Sequence, residues 1–311
     1  MNFYKLYHGD CLQALSEIED NSIDLVLADP PYGIGKADWD VFDEQFTVKW
    51  ISECNRVLKY MGSMWITLGW QTVSETKIIC GKINDLRLKN WIIWYRKDGW
   101  KGDKGFCQSH EHILYYYKDF TNSPLFSEFK EYLNSKREEK GLSLKDINNK
   151  LGLATTGGGN ASMYMGNHEY TVLPNRVNYN KIKKIIDLGN RFDYLPFGGQ
   201  VKFNPVGVWD DVWVDILSEK KNRRHPTQKP LKLFERIIQC STDKNGVVLD
   251  PFLGSGTTME ACQNLRRSCI GMEKDEGYIK SIKTRCFGRK FLDREVEYDF
   301  ILKKENKKDV K

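Results

Sequence analysis

Two short segments carry residue types that could do chemistry: Asp29-Pro30-Pro31-Tyr32, and Asp250-Pro251-Phe252-Leu253-Gly254-Ser255-Gly256-Thr257-Thr258. The first offers a carboxylate, an aromatic ring and two prolines, whose fixed φ limits how the carbonyl beside the acid can turn. The second offers a glycine turn through which backbone can approach a ligand closely. Each follows an apolar run, Ile23-Asp24-Leu25-Val26-Leu27-Ala28 and Gly246-Val247-Val248-Leu249. Such runs, stopped by Pro and Gly, read as buried parallel strands ending at the carboxyl edge of a sheet. In open α/β sheets that edge is where ligands bind. Together the two segments predict a flat base held over a nucleoside-bearing cofactor.

Asp29-Pro30-Pro31-Tyr32 resembles the catalytic motif of the DNA amino-methyltransferases, and Asp250 to Gly256 resembles their S-adenosylmethionine loop. The catalytic motif comes first and the cofactor loop near the end, an order similar to the permuted β class. Further matches are Gly9-Asp10-Cys11, His110-Glu111, His225-Pro226-Thr227-Gln228-Lys229-Pro230 and Gly271-Met272-Glu273. The resemblance implies an α/β fold: a Rossmann-like methyltransferase sheet with a helical, helix-turn-helix-like insert. It implies S-adenosylmethionine as cofactor, double-stranded DNA as partner, and no metal.

The elements that must position these motifs are legible along the chain. Tyr4 to His8, Ile23 to Ala28, Ser63 to Leu68, Asn90 to Tyr95 and His112 to Tyr117 read as strands. Leu12 to Ile18 reads as a short helix. Phe46, Trp50, Ile51, Cys54 and Leu58 keep helical spacing before the stop signals Lys59 and Gly62. After Thr121-Asn122-Ser123-Pro124 the character changes to charged helices over Phe126 to Lys140 and from Ser143, which caps its helix with Asp146 three positions on. Asn160 to Met165 then reads as a candidate recognition helix, followed by a helix over Val177 to Leu188. From Pro205 the α/β pattern resumes, with helices over Pro230 to Cys240 and Thr257 to Leu265 and strands over Gly246 to Leu249 and Ser268 to Met272. The expected divisions are a catalytic half at 1–120, a target-recognition insert at 121–205, a cofactor half at 206–300 and a basic tail at 301–311.

Composition narrows the class. The 311 residues are 40% apolar and 29% charged, as in a soluble globular protein. No apolar run approaches the roughly 20 residues of a membrane span, and the first residues lack a signal peptide's basic stretch and apolar core. Eight cysteines without a Cys-x-x-Cys pair argue against both a zinc site and a disulfide framework, which suits the cytoplasm. A net charge of +6 suits nucleic acid but decides nothing by itself.

An exocyclic amino nitrogen is a poor nucleophile because its lone pair is delocalised into the ring. Asp29 can accept one of its hydrogens and the Pro30 carbonyl another, while Tyr32 offers a stacking face beside Pro31, a contact of about 1–3 kcal/mol. The resemblance sets Asp10 and Cys11 near the cofactor's adenine, Asp250 near its amino group, and Thr227 and Lys229 near its carboxylate. Phe252 lies in the loop, and Gly254 and Gly256 admit the methionine portion. Glu273, at a strand end, suits the ribose hydroxyls. A base inside a duplex must be flipped out to reach such a pocket. The residues expected to hold the DNA are Trp100 and Lys101 in an aromatic-basic loop, Arg223 and Arg224 in the densest basic cluster, and Asn160, Ser162 and Tyr164 on the recognition helix. Asp at the first motif position favours adenine N6 over cytosine N4, where Ser is frequent in the family. A DNA-binding regulator with a vestigial fold is the competing class, opposed by the intact motifs. A homodimer and a cognate restriction endonuclease are candidate partners.

Overall fold

The computed structural model describes residues 2–35, 40–100, 106–153, 159–166, 172–193, 195, 203, 210–218, 228–288 and 297–301, with backbone alone at 97–100, 159–160 and 297–301. The chain divides into two units, one made of Met1–Lys118 with Val201–Lys311 and the other of Asp119–Gln200.

The first unit is built on one sheet. Its elements run β1 (Phe3–His8), α1 (Cys11–Leu15), β2 (Ile23–Ala28), α2 (Glu44–Val57), β3 (Leu58–Leu68), α3 (Val73–Gly81), β4 (Leu86–Trp100) and β5 (Gln108–Lys118). After the other unit come β6 (Val212–Trp213), α8 (Leu231–Ser241), β7 (Val247–Asp250), α9 (Thr257–Leu265), β8 (Ser268–Glu273), α10 (Glu276–Cys286) and β9 (Glu297–Ile301). The strand order is β6-β4-β5-β3-β2-β7-β8-β1-β9. Only β5 runs against its neighbours.

The sheet's centre explains where a ligand can sit. β2 pairs in parallel with β7, Leu25 opposite Val248 and Val26 opposite Leu249. From β2 the chain passes through α2 to β3 on one side, and from β7 through α9 to β8 on the other. Connections that diverge in this way leave a crevice above the strand ends. Period-two alternation sends the two faces of β2 into separate cores. Val26 and Ala28 join the layer of α1, α2 and α3, whereas Leu25 and Leu27 join that of α8, α9 and α10. Ile23, which precedes an irregularity in the pairing with β3, falls out of step and joins the first layer.

Local signals set the element ends. Asp43 caps α2 by accepting from the Phe46 amide at 2.7 Å, and Trp50, Ile51 and Cys54 bury its inner face. Leu58, expected inside the helix, is already extended and begins β3. β4 and β5 outrun the expected strands because their hairpin pairs from Leu86 with Lys118 to Trp100 with Gln108. α3, α10, β6 and β9 have no counterpart in the expected elements. Ile301, expected to begin the tail, belongs to β9, where it pairs with Tyr7; residues 302–311 lie outside the described residues.

The second unit packs α4 (Pro124–Glu139), α5 (Leu144–Leu151), α6 (Gly159–Met165) and α7 (Arg176–Ile186). Ser143 and Asp146 form the expected capping box of α5. Phe129, Leu133, Ile147, Tyr179, Ile182 and Ile186 are buried within it. The expectation that α6 presents Ser162 and Tyr164 to a DNA groove is corrected here. Both side chains are buried, and the Tyr164 hydroxyl accepts from the Asn178 amide at 3.0 Å. A seven-residue helix whose Ala161, Tyr164 and Met165 complete a small core has little face left for a groove. The Asn160 side chain lies outside the described residues. Among the described residues, no helix is long and apolar enough to cross a membrane.

One buried cation ties the end of α2 to the sheet. Lys118 Nζ donates to the carbonyls of Asn55 at 2.7 Å and Leu58 at 2.9 Å and to Asn21 Oδ1 at 3.0 Å. Lys118→Met keeps the apolar stem but leaves these acceptors without their donor. It should lower stability by roughly 1–3 kcal/mol, read as a lower urea midpoint with an unchanged slope. A midpoint equal to wild type would show that the carbonyls find other donors.

Candidate active site

A cleft of about 840 Å³ lies along the carboxyl ends of β1, β8, β7 and β2. Asp10 and Cys11 line it from the end of β1, Asp29 to Tyr32 from β2, Asp250 to Ser255 from β7 and Glu273 from β8, with Lys229 before α8. Thus Asp10, Cys11, Asp29, Pro30, Pro31, Tyr32, Lys229, Asp250, Phe252, Gly254 and Glu273 meet in one cavity. Thr227, Lys101, Arg223 and Arg224 lie outside the described residues, as does the Trp100 side chain.

At the β2 end the chemistry is dense. Asp29 Oδ1 accepts from the Tyr32 hydroxyl at 3.1 Å, from the Thr67 hydroxyl, and from Lys229 Nζ at 2.7 Å. Lys229 also reaches Oδ2 at 2.8 Å and lies 4.8 Å above the Tyr32 ring. The one phenolic proton of Tyr32 is shared between Asp29 and Glu111 Oε2, each 3.1 Å away. Burial, then the charges of Asp29 and Glu111, push the Tyr32 pKa well up, so the hydroxyl stays a donor. Arg96 completes the cluster by donating to Glu111 Oε1 at 2.9 Å. The backbone after Pro31 is held by Asp40, which accepts from the amides of Tyr32 at 2.8 Å, Gly33 at 2.9 Å and Ile34 at 3.2 Å. A carboxylate taking three successive amides fixes a loop as a turn does.

Thr67, Asp40 and Arg96 escape sequence reasoning, and Glu111 surfaces there only as part of a motif match. The signal is weak: Thr67 is a polar residue inside an apolar strand run, and Glu111 stands between two histidines in the polar first half of β5. Lys229, which the resemblance sets beside a ligand carboxylate, instead pairs with the acid of the first motif.

The other end of the cleft is acidic and apolar. Asp10 caps α1 by accepting from the Leu12 amide at 2.9 Å, and burial, then Asp10, push the Cys11 thiol up to about 12. That thiol is therefore neutral, a small apolar wall rather than a nucleophile. Phe252 meets Trp50 edge to face at 5.3 Å. Asp250 accepts from the Phe252 amide at 2.9 Å and from the Thr258 hydroxyl. Burial nevertheless raises its pKa to about 7. Glu273 takes the Gly254 amide at 2.8 Å on Oε2 and the Asp275 amide at 2.7 Å on Oε1. Burial pushes its pKa up and these amides oppose the shift. Each oxygen keeps a lone pair, so this set of acceptors fits a ligand with a vicinal diol, a flat apolar ring and an ammonium group.

The two loop glycines differ. Gly254 lines the cleft with φ +54°. Gly256 opens α9 at φ +85°, and a Cβ there would come within 3.2 Å of Ile282 and 3.3 Å of Cys286. Its constraint comes from helix packing, which corrects the expectation that it makes room for the ligand. Gly256→Ala should therefore cost about 1–2 kcal/mol of stability, while the folded protein keeps its affinity for an adenosine-bearing ligand. Unchanged urea unfolding combined with lost binding would return Gly256 to the ligand wall.

Comparison with known proteins accords with this geometry. The family model described as DNA methylase matches residues 23–284. The chain is 30% identical over 290 residues to the type II methyltransferase M.HpaI of Haemophilus parainfluenzae, covering 90% of this chain and 73% of that protein. It is 31% identical over 285 residues to the DNA adenine methyltransferase YhdJ of Escherichia coli K12, covering 88% and 80%. The crystal structure of an M1.HpyAVI–SAM complex superimposes with a TM-score of 0.54 at 21% identity, covering 91% of this chain and all of that one, a likeness of fold. With two motifs on neighbouring strand ends and a family model spanning most of its length, the chain belongs to the N6/N4 DNA methylase family.

Proposed function

We propose that the protein transfers a methyl group from S-adenosylmethionine to the N6 amino group of adenine flipped out of double-stranded DNA. The pairing of β2 with β7 carries this reading, because it sets Asp29 and the Asp250 loop in one cleft. The 31% identity to a DNA adenine methyltransferase and the Asp in the first motif support adenine. The fit of an acidic pair, the half-buried Phe252 ring and a glycine turn to a nucleoside with a diol supports the cofactor. When bound, S-adenosylmethionine supplies an electrophilic methyl group on a sulfonium centre.

The chain's own residues do the rest. Asp29 accepts a hydrogen from the amino group, drawing the nitrogen lone pair out of the ring, and the Pro30 carbonyl takes the second. Tyr32, held by Asp29 and Glu111, gives the base a stacking face. Alignment in the cleft supplies further acceleration. Glu273 holds the ribose diol, Asp10 and Cys11 edge the adenine, Asp250 takes the ammonium, and Thr227 is kept for the carboxylate. Lys229, committed to Asp29, belongs to the base side. The exposed faces of α5 and α7, with Lys145, Lys150, Lys181 and Lys184, are assigned to DNA in place of Ser162 and Tyr164. A type II relative supports a restriction–modification setting, with a cognate endonuclease as partner and the cytoplasm as location.

Sequencing DNA from a host expressing the protein, with modified-base detection, tests the reading. It should give N6-methyladenine at one site; N4-methylcytosine would move the reading to the cytosine enzymes, and unmodified DNA would sink it. Asp29→Asn should lower single-turnover methyl transfer on the order of 10²-fold or more with cofactor affinity retained, and near-normal turnover would remove Asp29.

Cofactor binding should depend on pH. Below about 7 the Asp250 carboxyl is neutral and cannot pair with an ammonium. Affinity for S-adenosylhomocysteine, measured by calorimetry, should rise about tenfold per unit up to that point and then level off. The stability effect has the opposite sign. The folded pKa lies above the usual carboxylate range, so between the two values the folded state binds more protons and loses stability as pH rises. A flat binding profile from pH 6 to 8 would exclude Asp250 from the ammonium site.

A further inference from the structure

The cluster around Asp29 holds four charges. Lys229, buried, lies between two carboxylates, 2.7 and 2.8 Å from the oxygens of Asp29 and 3.5 Å from Glu111 Oε2. Burial alone lowers a lysine's pKa, yet here Asp29 and Glu111 overcome it and the net shift is upward, so the ammonium stays charged. As the cleft stands, Asp29 Oδ1 already accepts from Tyr32, Thr67 and Lys229, and Oδ2 from Lys229. A carboxylate offers about four acceptor directions. Oδ1 is therefore filled, and an incoming amino group must use Oδ2, the oxygen that Lys229 also holds.

We propose that Glu111 is a positioning residue that supplies the second seat for Lys229. When the target amino group takes its hydrogen bond from Asp29, the Lys229 ammonium shifts its ion pair towards Glu111, and Arg96 holds Glu111 in place to receive it. This inference rests on the reading of Asp29 as acceptor of the amino hydrogen. Three features carry it. Lys229 is within reach of both acids. Glu111 is tied to β4 through Arg96 and to the motif loop through Tyr32. A buried ammonium that left Asp29 without a second carboxylate would be stranded at high cost. No proton is transferred; one ammonium exchanges hydrogen-bond partners.

The experiment compares duplexes carrying, at the methylated position, adenine or purine (the same ring without the amino group). Affinities are measured by fluorescence anisotropy in saturating S-adenosylhomocysteine, and the adenine-to-purine preference is the readout. Wild type should exceed Asp29→Asn by about tenfold, the scale of a hydrogen bond to a charged group. Equal preferences would refute the reading of Asp29 itself. Glu111→Gln keeps the shape and one acceptor oxygen, which can serve Tyr32 or Arg96 but not both, and removes the charge that draws Lys229 away, so it should lose most of the preference. Adding Lys229→Met to Glu111→Gln restores the charge balance and frees Asp29, so the double variant should recover to within about threefold of wild type. If Glu111 only propped Tyr32, the double variant would stay as poor as the single one. That outcome, or a wild-type preference in Glu111→Gln, overturns the proposal. A readout on the intact protein covers misfolding of the variants. The Lys229 ammonium resonance in ¹⁵N spectra should move on binding the adenine duplex and stay put with the purine duplex. The same shift with both would also overturn it.

Discussion

Parallel pairing of β2 with β7 at the middle of the sheet is the constraint on which the rest depends. These strands come from opposite ends of the chain, yet each finishes in a loop that a ligand needs: Asp29 to Tyr32 from one, Asp250 to Thr258 from the other. Asp24 reinforces the junction by accepting from the Val247 amide at 2.8 Å while holding Lys59 at 2.9 Å. Because the two connections diverge from this pair, neither of them crosses the crevice above it. One core on each face then clamps the pair, since β2 feeds alternate side chains into both. The cleft is a by-product of topology, and its chemistry comes from what four neighbouring strands carry at their ends.

At the base side, that chemistry is electrostatic. Two carboxylates and two cations lie within hydrogen-bond reach of one another in a mostly buried volume. Such a group is tolerated only when every member is paired. Here Asp29, Lys229, Glu111 and Arg96 form a chain of alternating sign, with Tyr32 and Thr67 filling remaining positions. A chain of this kind can pass a cation from one acid to the other at little net cost, whereas an isolated pair cannot. At the cofactor side the opposite logic holds. Asp250 has hydrogen-bond donors but no cation facing it among its contacts, and burial raises its pKa to about 7. An acid in that condition is suited to a positively charged ligand group, which would replace the missing counter-charge.

What was legible in the sequence follows from locality. Ile23 to Ala28 reads as a buried strand because apolar periodicity and a proline stop act over a few residues. The capping box of Ser143 with Asp146 is equally local. The resemblance of Asp29 to Tyr32 and of Asp250 to Gly256 pointed to one cleft, and Asp29 to Tyr32 and Asp250 to Ser255 line it. Reading failed where local signals were absent or carried two meanings. α3 went unseen because its buried Val73, Thr76, Ile79 and Cys80 make only a weak polar contrast. A glycine can be required by a ligand or by packing, and only the positions of Ile282 and Cys286 tell which applies at Gly256. Likewise, Ser162 and Tyr164 have polar atoms, but α6 needs its faces for the core of a small helical unit.

By itself, then, the amino-acid sequence determined the types of the elements that carry the two motifs, the carboxyl ends of β1, β2, β7 and β8 to within a residue, and the two loops, since these depend on neighbours within one or two helical turns. The tertiary structure decided which partners those loops acquire. Lys229 meets Asp29 across 200 residues of chain, and Glu111 reaches Tyr32 across 79. Arg96 and Glu111 come together only because β4 and β5 pair as a hairpin in one register. Hydrogen bonds and ion pairs fall off within a few ångströms, so their partners are set by register and layer packing rather than by residue type. The protonation states of Asp250, Tyr32 and Cys11 share that origin, because burial exists only once the sheet has closed over them.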